Sequence, residues 1–210
     1  MHPNPAFRAA PDAAALAFVA DRGFGALTIS GPDGPWMSHV PGVVSGDGAS
    51  VEMHLVRSTP ISGRLASDEA VPALWAVTGP DGYVSPDWYG IADQVPTWNY
   101  VAVHLRGRLM RLPDAALRPH LDALSDAFEA RLAPKAPWRT DKMPEDLMAR
   151  MMRSLIPVRL EVEEVQSTFK LGQNKPDAVR LAAAEALGAS GIGMETVVLS
   201  RLMHQPPEGT

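Results

Sequence analysis

The stretch HLVRSTPISGRL, His54 to Leu65, carries an arginine and two hydroxyls into the start of a short helix. The first turn of a helix leaves backbone N–H groups without intrahelical partners, and the helix dipole favours negative charge there. Arg57 adds a planar guanidinium that can grip a phosphate in two parallel hydrogen bonds, and Ser58 and Thr59 add hydroxyls. The same residues also suit a purely structural end, with Thr59 as N-cap and Pro60 at the first helical position. Three histidines, His39, His54 and His104, fall on three separate strand candidates. Three imidazoles can ligate a metal or serve a haem. No HxxxH, no HExxH and no carboxylate cluster accompanies them, so no metal site is expected, and His39 and His104 read better as ring-fixing residues or as donors to ligand oxygens. There is no GxGxxG and no GxxxxGK[ST], which leaves out a dinucleotide fingerprint and a P-loop. Tyr83, Ser85, Tyr89 and His104 are possible proton donors, but no nucleophile–base pair defines a substrate.

The elements that must position these residues change period along the chain. Asp12 opens a short helix with Ala15, Leu16, Phe18 and Val19 on its apolar face. After Gly23, FGALTIS and PWMSHVPGVVS read as strands joined by the GPDG turn, and SVEMHLV follows as a third. STPISGRLAS predicts a short helix. VPALWAVTG returns to strand, and TWNYVAVHLRGRLMRL is the longest strand, alternating Val101, Val103, Leu105 and Leu109 on one side, with Gly107 as a bend. The second half is more helical. PDAALRPHLDALSDAFEARL places Leu117, Leu121, Leu124 and Phe128 at helical spacing, with Pro119 as a kink or restart. PEDLMARMMRSL is a further helix, IPVRLEVEEVQSTFKL a late strand, PDAVRLAAAEAL a helix closing at Gly188, and METVVLSRLM a last helix. A run of strands, one late strand and peripheral helices predicts an antiparallel barrel with helical additions.

With 210 residues, 46% of them hydrophobic, the chain can bury a sizeable core, and it reads as one domain over residues 1–210 with C-terminal helical additions at about 176–204. It has no cysteine, which excludes disulfides and thiolate chemistry and fits a reducing compartment. The N-terminus lacks the pattern of a signal peptide and no run has the roughly 18 to 20 apolar residues of a membrane helix, so a cytoplasmic protein without membrane contact is expected. Nineteen basic against twenty-four acidic residues give a net charge of −5, which argues against direct nucleic-acid binding. No helix-turn-helix is evident either, and Arg180 and Arg201 are the only basic residues between Pro176 and Met203.

Five blocks, HVPG (from His39), HLVRSTP (from His54), TGPDGYVSPDWY (from Thr78), VPTWNYVAVH (from Val95) and FKLGQNKP (from Phe169), occur in this order across nearly the whole chain. In them the sequence resembles the PaiB family, FMN-binding negative transcriptional regulators with the FMN-binding split barrel of pyridoxamine phosphate oxidases and flavin reductases. It departs from that pattern at Thr59, where the family usually has Asn, and at Gly172, where a Ser is usual. The resemblance implies a homodimeric, mainly β split barrel with helical additions, binding FMN, or alternatively FAD, at the subunit interface.

It also implies a division of labour among residues. The turn holding Arg57, Ser58 and Thr59 would meet the flavin phosphate. Trp98, Asn99 and Tyr100 supply a flat apolar wall and polar groups of the kind an isoalloxazine ring needs. Successive strand residues face opposite sides, so Trp98 and Tyr100 share a face that Asn99 does not, and all three line one pocket only with a bulge or a dimer partner. His39 and His104 are candidate donors to flavin or phosphate oxygens. Lys170, Gln173 and Asn174 lie in a strand-to-helix connection that can reach across a dimer interface, although an ordinary turn explains Asn174 equally well. Three readings follow: a flavin-binding protein with an oxidoreductase reaction, a transcriptional regulator acting directly or indirectly, and a haem-handling split barrel.

Overall fold

The computed structural model describes residues 1–67 and 69–207. In chain order the elements are α1 (Asp12–Arg22), β1 (Phe24–Gly31), β2 (Gly34–Val44), β3 (Ser50–Val56), α2 (Pro60–Arg64), β4 (Val71–Val84), β5 (Thr97–Arg111), α3 (Leu117–Glu129), α4 (Glu145–Met152), β6 (Leu155–Lys170), α5 (Asp177–Ser190), β7 (Gly193–Met194) and α6 (Thr196–His204). Short 3₁₀ turns occupy Pro86–Tyr89 and Asp114–Ala116. The sheet order is β1-β2-β3-β6-β5-β4-β7, and β1 also pairs with β4. That extra pairing closes six strands into a ring, which removes the open edges a flat sheet would leave.

The chain divides into two compact units joined by β4, β5 and β6, each of which runs through both. The first comprises Met1–Phe18, Val77–His104 and Val165–Thr210, and the second Val19–Ala76 and Leu105–Glu164. In the second unit β1 and β2 form a hairpin with Gly31 opposite Gly34, and β3 pairs with β6 from Ser50↔Glu161 to Val56↔Leu155. Its core holds Leu27, Met53, Leu55, Trp75 and Leu160, all at most 2% exposed. In the first unit, α5 and α6 pack on each other and bury Ala183, Ala184, Leu187 and Leu199.

Local chemistry explains most boundaries. Thr59 caps α2 by accepting the Ser62 N–H, with Pro60 in the first turn, as the sequence predicts. Pro119 sits in the first turn of α3, where its missing N–H costs nothing, so the helix restarts after the 3₁₀ turn instead of kinking. Along β5 the alternation buries Val101, Val103, Leu105 and Leu109. Gly107 on the same face is needed because a Cβ there would fall inside the radius of the Glu161 carbonyl oxygen.

Two expectations are corrected. β4 continues through Gly79 and Pro80 to Val84, and its far end pairs with β7 at Asp81↔Met194, a two-residue strand too short to carry a sequence signal. α5 runs past Gly188 to Ser190 and stops at Gly191, whose φ of 66° supplies the left-handed C-cap. Gly188 stays inside the helix where α6 comes close, a Cβ there lying 3.1 Å from Ser200 Cβ.

Candidate functional site

In the first unit, β5 begins with Thr97, Trp98, Asn99 and Tyr100, and the strand alternation separates them. Trp98 is 48% exposed while Asn99 is 1% exposed. Trp98 meets Tyr83 edge to face, with centroids 6.3 Å apart, and Tyr83 meets Trp88 in the same way at 6.4 Å. Two ammonium groups of this unit are engaged elsewhere. Lys170 Nζ donates to Thr97 Oγ1 and lies 5.9 Å from the Phe7 ring, and burial lowers its pKa. Lys175 Nζ donates to Gln94 Oε1 and lies 4.3 Å from the centroid of Tyr89, a cation–π contact. Burial raises the pKa of the Tyr89 phenol. Tyr100 and His104 are half-buried along the same strand.

The connection after β6 is held by its own side chains. Gln173 Oε1 accepts the Leu171 N–H at 2.8 Å and its Nε2 donates to the Phe169 carbonyl, so this amide is committed to the turn. Gly172 has φ 80°, a conformation in which any side chain is strained, and this gives a backbone reason for glycine at that point. Asn174 is exposed. Asn99 donates from Nδ2 to Met203 Sδ at 3.5 Å, a weak bond that ties β5 to α6. Arg180, 7% exposed, donates to the carbonyls of Met203 and His204 and to Asp177, so one of the two arginines of the C-terminal helices closes the hairpin.

In the second unit, Arg57 leaves β3 and turns back toward β6. Its Nε donates to the Arg153 carbonyl at 3.1 Å and its Nη2 to the Leu155 carbonyl at 2.9 Å, with Asp114 Oδ2 at 3.6 Å from Nη2. A hydrogen bond from Arg111 holds the Asp114 carboxyl below its usual pKa. Ser58 is exposed, and Thr59 is occupied as the α2 cap. His39 is exposed on β2, its ring stacked on Phe24 at 6.3 Å. His54 Nδ1 and His120 Nε2 share a hydrogen bond of 3.1 Å. Burial, and then the neighbouring His54, pushes the pKa of His120 down to about 4, and burial lowers that of His54.

The structure thus brings Trp98, Asn99, Tyr100, His104, Lys170, Gln173 and Asn174 into one unit and places His39, Arg57, Ser58 and Thr59 in the other. Sequence reasoning did not single out Lys175, nor the edge-to-face contact of Tyr83 with Trp88. The signals were present as a lysine inside FKLGQNKP and as rings inside YVSPDWY. It also gave His54 no partner, because His120 lies 66 residues away. Among the described residues, no three or more His, Asp or Glu gather as a metal site, and no helix is long and apolar enough to cross a membrane.

A closed antiparallel sheet of this order, with peripheral helices, defines a split-barrel protein. The chain belongs to the family described as "Putative FMN-binding domain", whose model matches residues 1–164. It is 26% identical over 172 residues to the protease synthase and sporulation protein PAI 2 of Bacillus subtilis, covering 81% of each chain. The fold is similar to that of the FAD and heme binding protein from Mycobacterium smegmatis, with a TM-score of 0.57 and 18% identity over 90% of this chain and 82% of that one. It is also similar to a conserved hypothetical protein from Mycobacterium tuberculosis, with a TM-score of 0.55 and 17% identity over 81% and 91% of the two chains. The donor set is chemically suited to FMN. An open indole wall, two ammonium groups and an exposed amide are the partners a flat, electron-poor ring with polar edges takes.

Proposed function

We propose that this chain is a flavoprotein that holds FMN, or alternatively FAD, against the open ring of Trp98, as a cytoplasmic homodimer serving an oxidoreductase reaction. The observation that carries this reading is Trp98, a large ring left 48% exposed on an otherwise well-packed strand of a chain in the FMN-binding family. Bound FMN supplies the electron transfer, and the protein supplies binding and orientation. Trp98 and Tyr100 provide ring contact, and Lys170 and Asn174 provide donors to the ring edge. Ser58, Thr59, the remaining Nη1 of Arg57 and His39 are candidate phosphate donors of the second unit, and His104 is a further donor in the first. Gln173 acts indirectly by fixing the turn that carries Lys170 and Asn174.

A role in transcription, on this reading, runs through the flavin-bound protein and not through direct DNA contact. The net charge of −5 and the buried Arg180 leave the C-terminal helices little with which to hold phosphates. The test is a visible spectrum of the purified protein and an FMN titration of the native chain, Trp98→Ala and Arg57→Ala, with light scattering for the oligomeric state. We expect flavin bands, a dimer, and affinity lowered about tenfold or more in each variant. Absence of FMN and FAD binding overturns the proposal, and a Soret band on reconstitution moves the haem-handling reading ahead.

A further inference from the structure

The second unit contains a cavity of about 540 Å³ built by the end of β3, the turn at Asp114, α3, α4 and the start of β6. This volume lies within the range of small-molecule pockets, roughly 300 to 1,000 Å³. Its apolar lining comes from Leu117, Ala149, Met152 and Leu155. Five charged side chains complete it, Arg57, Arg118 and Arg153 against Asp114 and Glu145, an excess of one positive charge.

The three guanidiniums differ in how they are occupied. Arg118 is engaged by Asp122 at 3.1 Å, Thr140 at 2.7 Å and Glu145 at 3.7 Å. Arg57 is fixed in direction by the Arg153 and Leu155 carbonyls, and its Nη1 makes no hydrogen bond among the described residues. The side chain of Arg153 has neither a hydrogen bond nor an ion pair among the described residues, although its own carbonyl helps to orient Arg57. One unpaired cation thus stands beside an apolar lining, next to two carboxylates that would repel a doubly charged anion.

We infer that this cavity is a binding site for a small monocarboxylate carried on an apolar chain or ring. The carboxylate pairs with Arg153, and the apolar part lies against Leu117, Met152 and Leu155. A carboxylate suits the fork of a guanidinium, and a single negative charge matches the lining's excess of +1. A second negative charge at Arg153 would have no uncommitted guanidinium of this lining beside it, because Arg118 is engaged by Asp122, Thr140 and Glu145 and Arg57 lies against Asp114. The inference does not depend on the flavin reading, since Arg153 and α4 take no part in that site.

Octanoate is a suitable probe, with octanamide as its uncharged counterpart, titrated by calorimetry into the native full-length chain, Arg153→Gln and Ala149→Trp. The second variant fills the cavity from α4 at an exposed helical position. Melting curves first check that each variant folds, and an FMN titration is run alongside. We expect octanoate to bind with a Kd on the order of 1 mM and octanamide to bind at least about tenfold more weakly. Arg153→Gln should weaken octanoate about tenfold and Ala149→Trp should abolish it, with FMN affinity unchanged in both. Equal binding of octanoate and octanamide, or no octanoate binding to the native chain, overturns the inference. Loss of FMN binding in Ala149→Trp overturns it differently, by making the cavity part of the flavin site. If FMN binds no variant and the octanoate pattern holds, the flavin reading fails alone.

Discussion

Trp98 and His120 are both ring side chains, yet they stand in opposite circumstances. Trp98 is 48% exposed and touches its neighbour Tyr83 only by an edge. His120 is 2% exposed, and its one hydrogen-bonded nitrogen is spent on His54. The contrast extends to their surroundings. Trp98 meets the Tyr83 ring, which in turn meets Trp88 edge to face. The polar groups around His120 and Arg57 mostly bind one another or backbone carbonyls. Uncommitted surface of high contact value is what recognition requires, whereas committed polar groups mainly secure architecture. A residue type that promises chemistry in the sequence therefore has to be judged by whether its donors are still available. Arg57 illustrates this, since its type suits a phosphate and two of its donors already hold the junction of α4 and β6.

The largest effect expected lies in the architectural region. Gly107→Ala forces a Cβ onto the Glu161 carbonyl, and backbone cannot yield as a flexible side chain can. A loss of more than about 3 kcal/mol is expected, read as collapse of the thermal transition. A melting point close to that of the native protein would show that this part of the barrel is looser than its packing implies.

The histidine pair should give the protein a pH-dependent stability. His120 titrates near 4 in the folded protein against 6.5 when unperturbed, so between those values the unfolded chain binds more protons than the native one. Stability is full above about pH 6.5 and falls as the pH drops toward 4, by up to roughly 3 kcal/mol from His120. Urea midpoints at pH 7.5 and 4.5 measure the loss, and His120→Leu should flatten it. An unchanged slope in that variant would mean that other groups carry the acid sensitivity.

Trp98→Ala should do the reverse. We expect FMN affinity to drop about tenfold while stability stays within about 0.5 kcal/mol of native, as for other surface substitutions. A destabilisation beyond about 1 kcal/mol would make Trp98 structural and dissolve the contrast with His120. The smallest effect belongs to Thr59→Ala, which removes the α2 cap at a cost of about 1 kcal/mol, measurable in the same melts. If FMN affinity falls as well, the Thr59 hydroxyl serves both ends.

Much of the fold was legible because its signals are local. Alternation marked β1, β2, β3, β5 and β6, a turn signal joined the first two, and Thr59–Pro60 marked α2. The alternation at Trp98, Asn99 and Tyr100 also announced that the three would not share a face, as their burial shows. β7 was not legible, because two residues have no period, and Gly188 looked like a helix end until the approach of α6 showed why it sits inside α5.

The candidate site was legible as residue types and much less as an arrangement. Composition and motifs alone determined that the chain has no cysteine chemistry, no P-loop or dinucleotide fingerprint, and the blocks of an FMN-binding family. Only the tertiary structure decided which of those residues keep free donors. Gln173 closes its own turn, Arg180 locks α5 to α6, His54 finds His120 across 66 residues, and Arg153 ends unpaired beside a cavity. The physical reason is that periodicity and turn chemistry act over a few residues. Burial and hydrogen-bond partnership are settled by segments far apart in the chain, which meet only when the sheet closes.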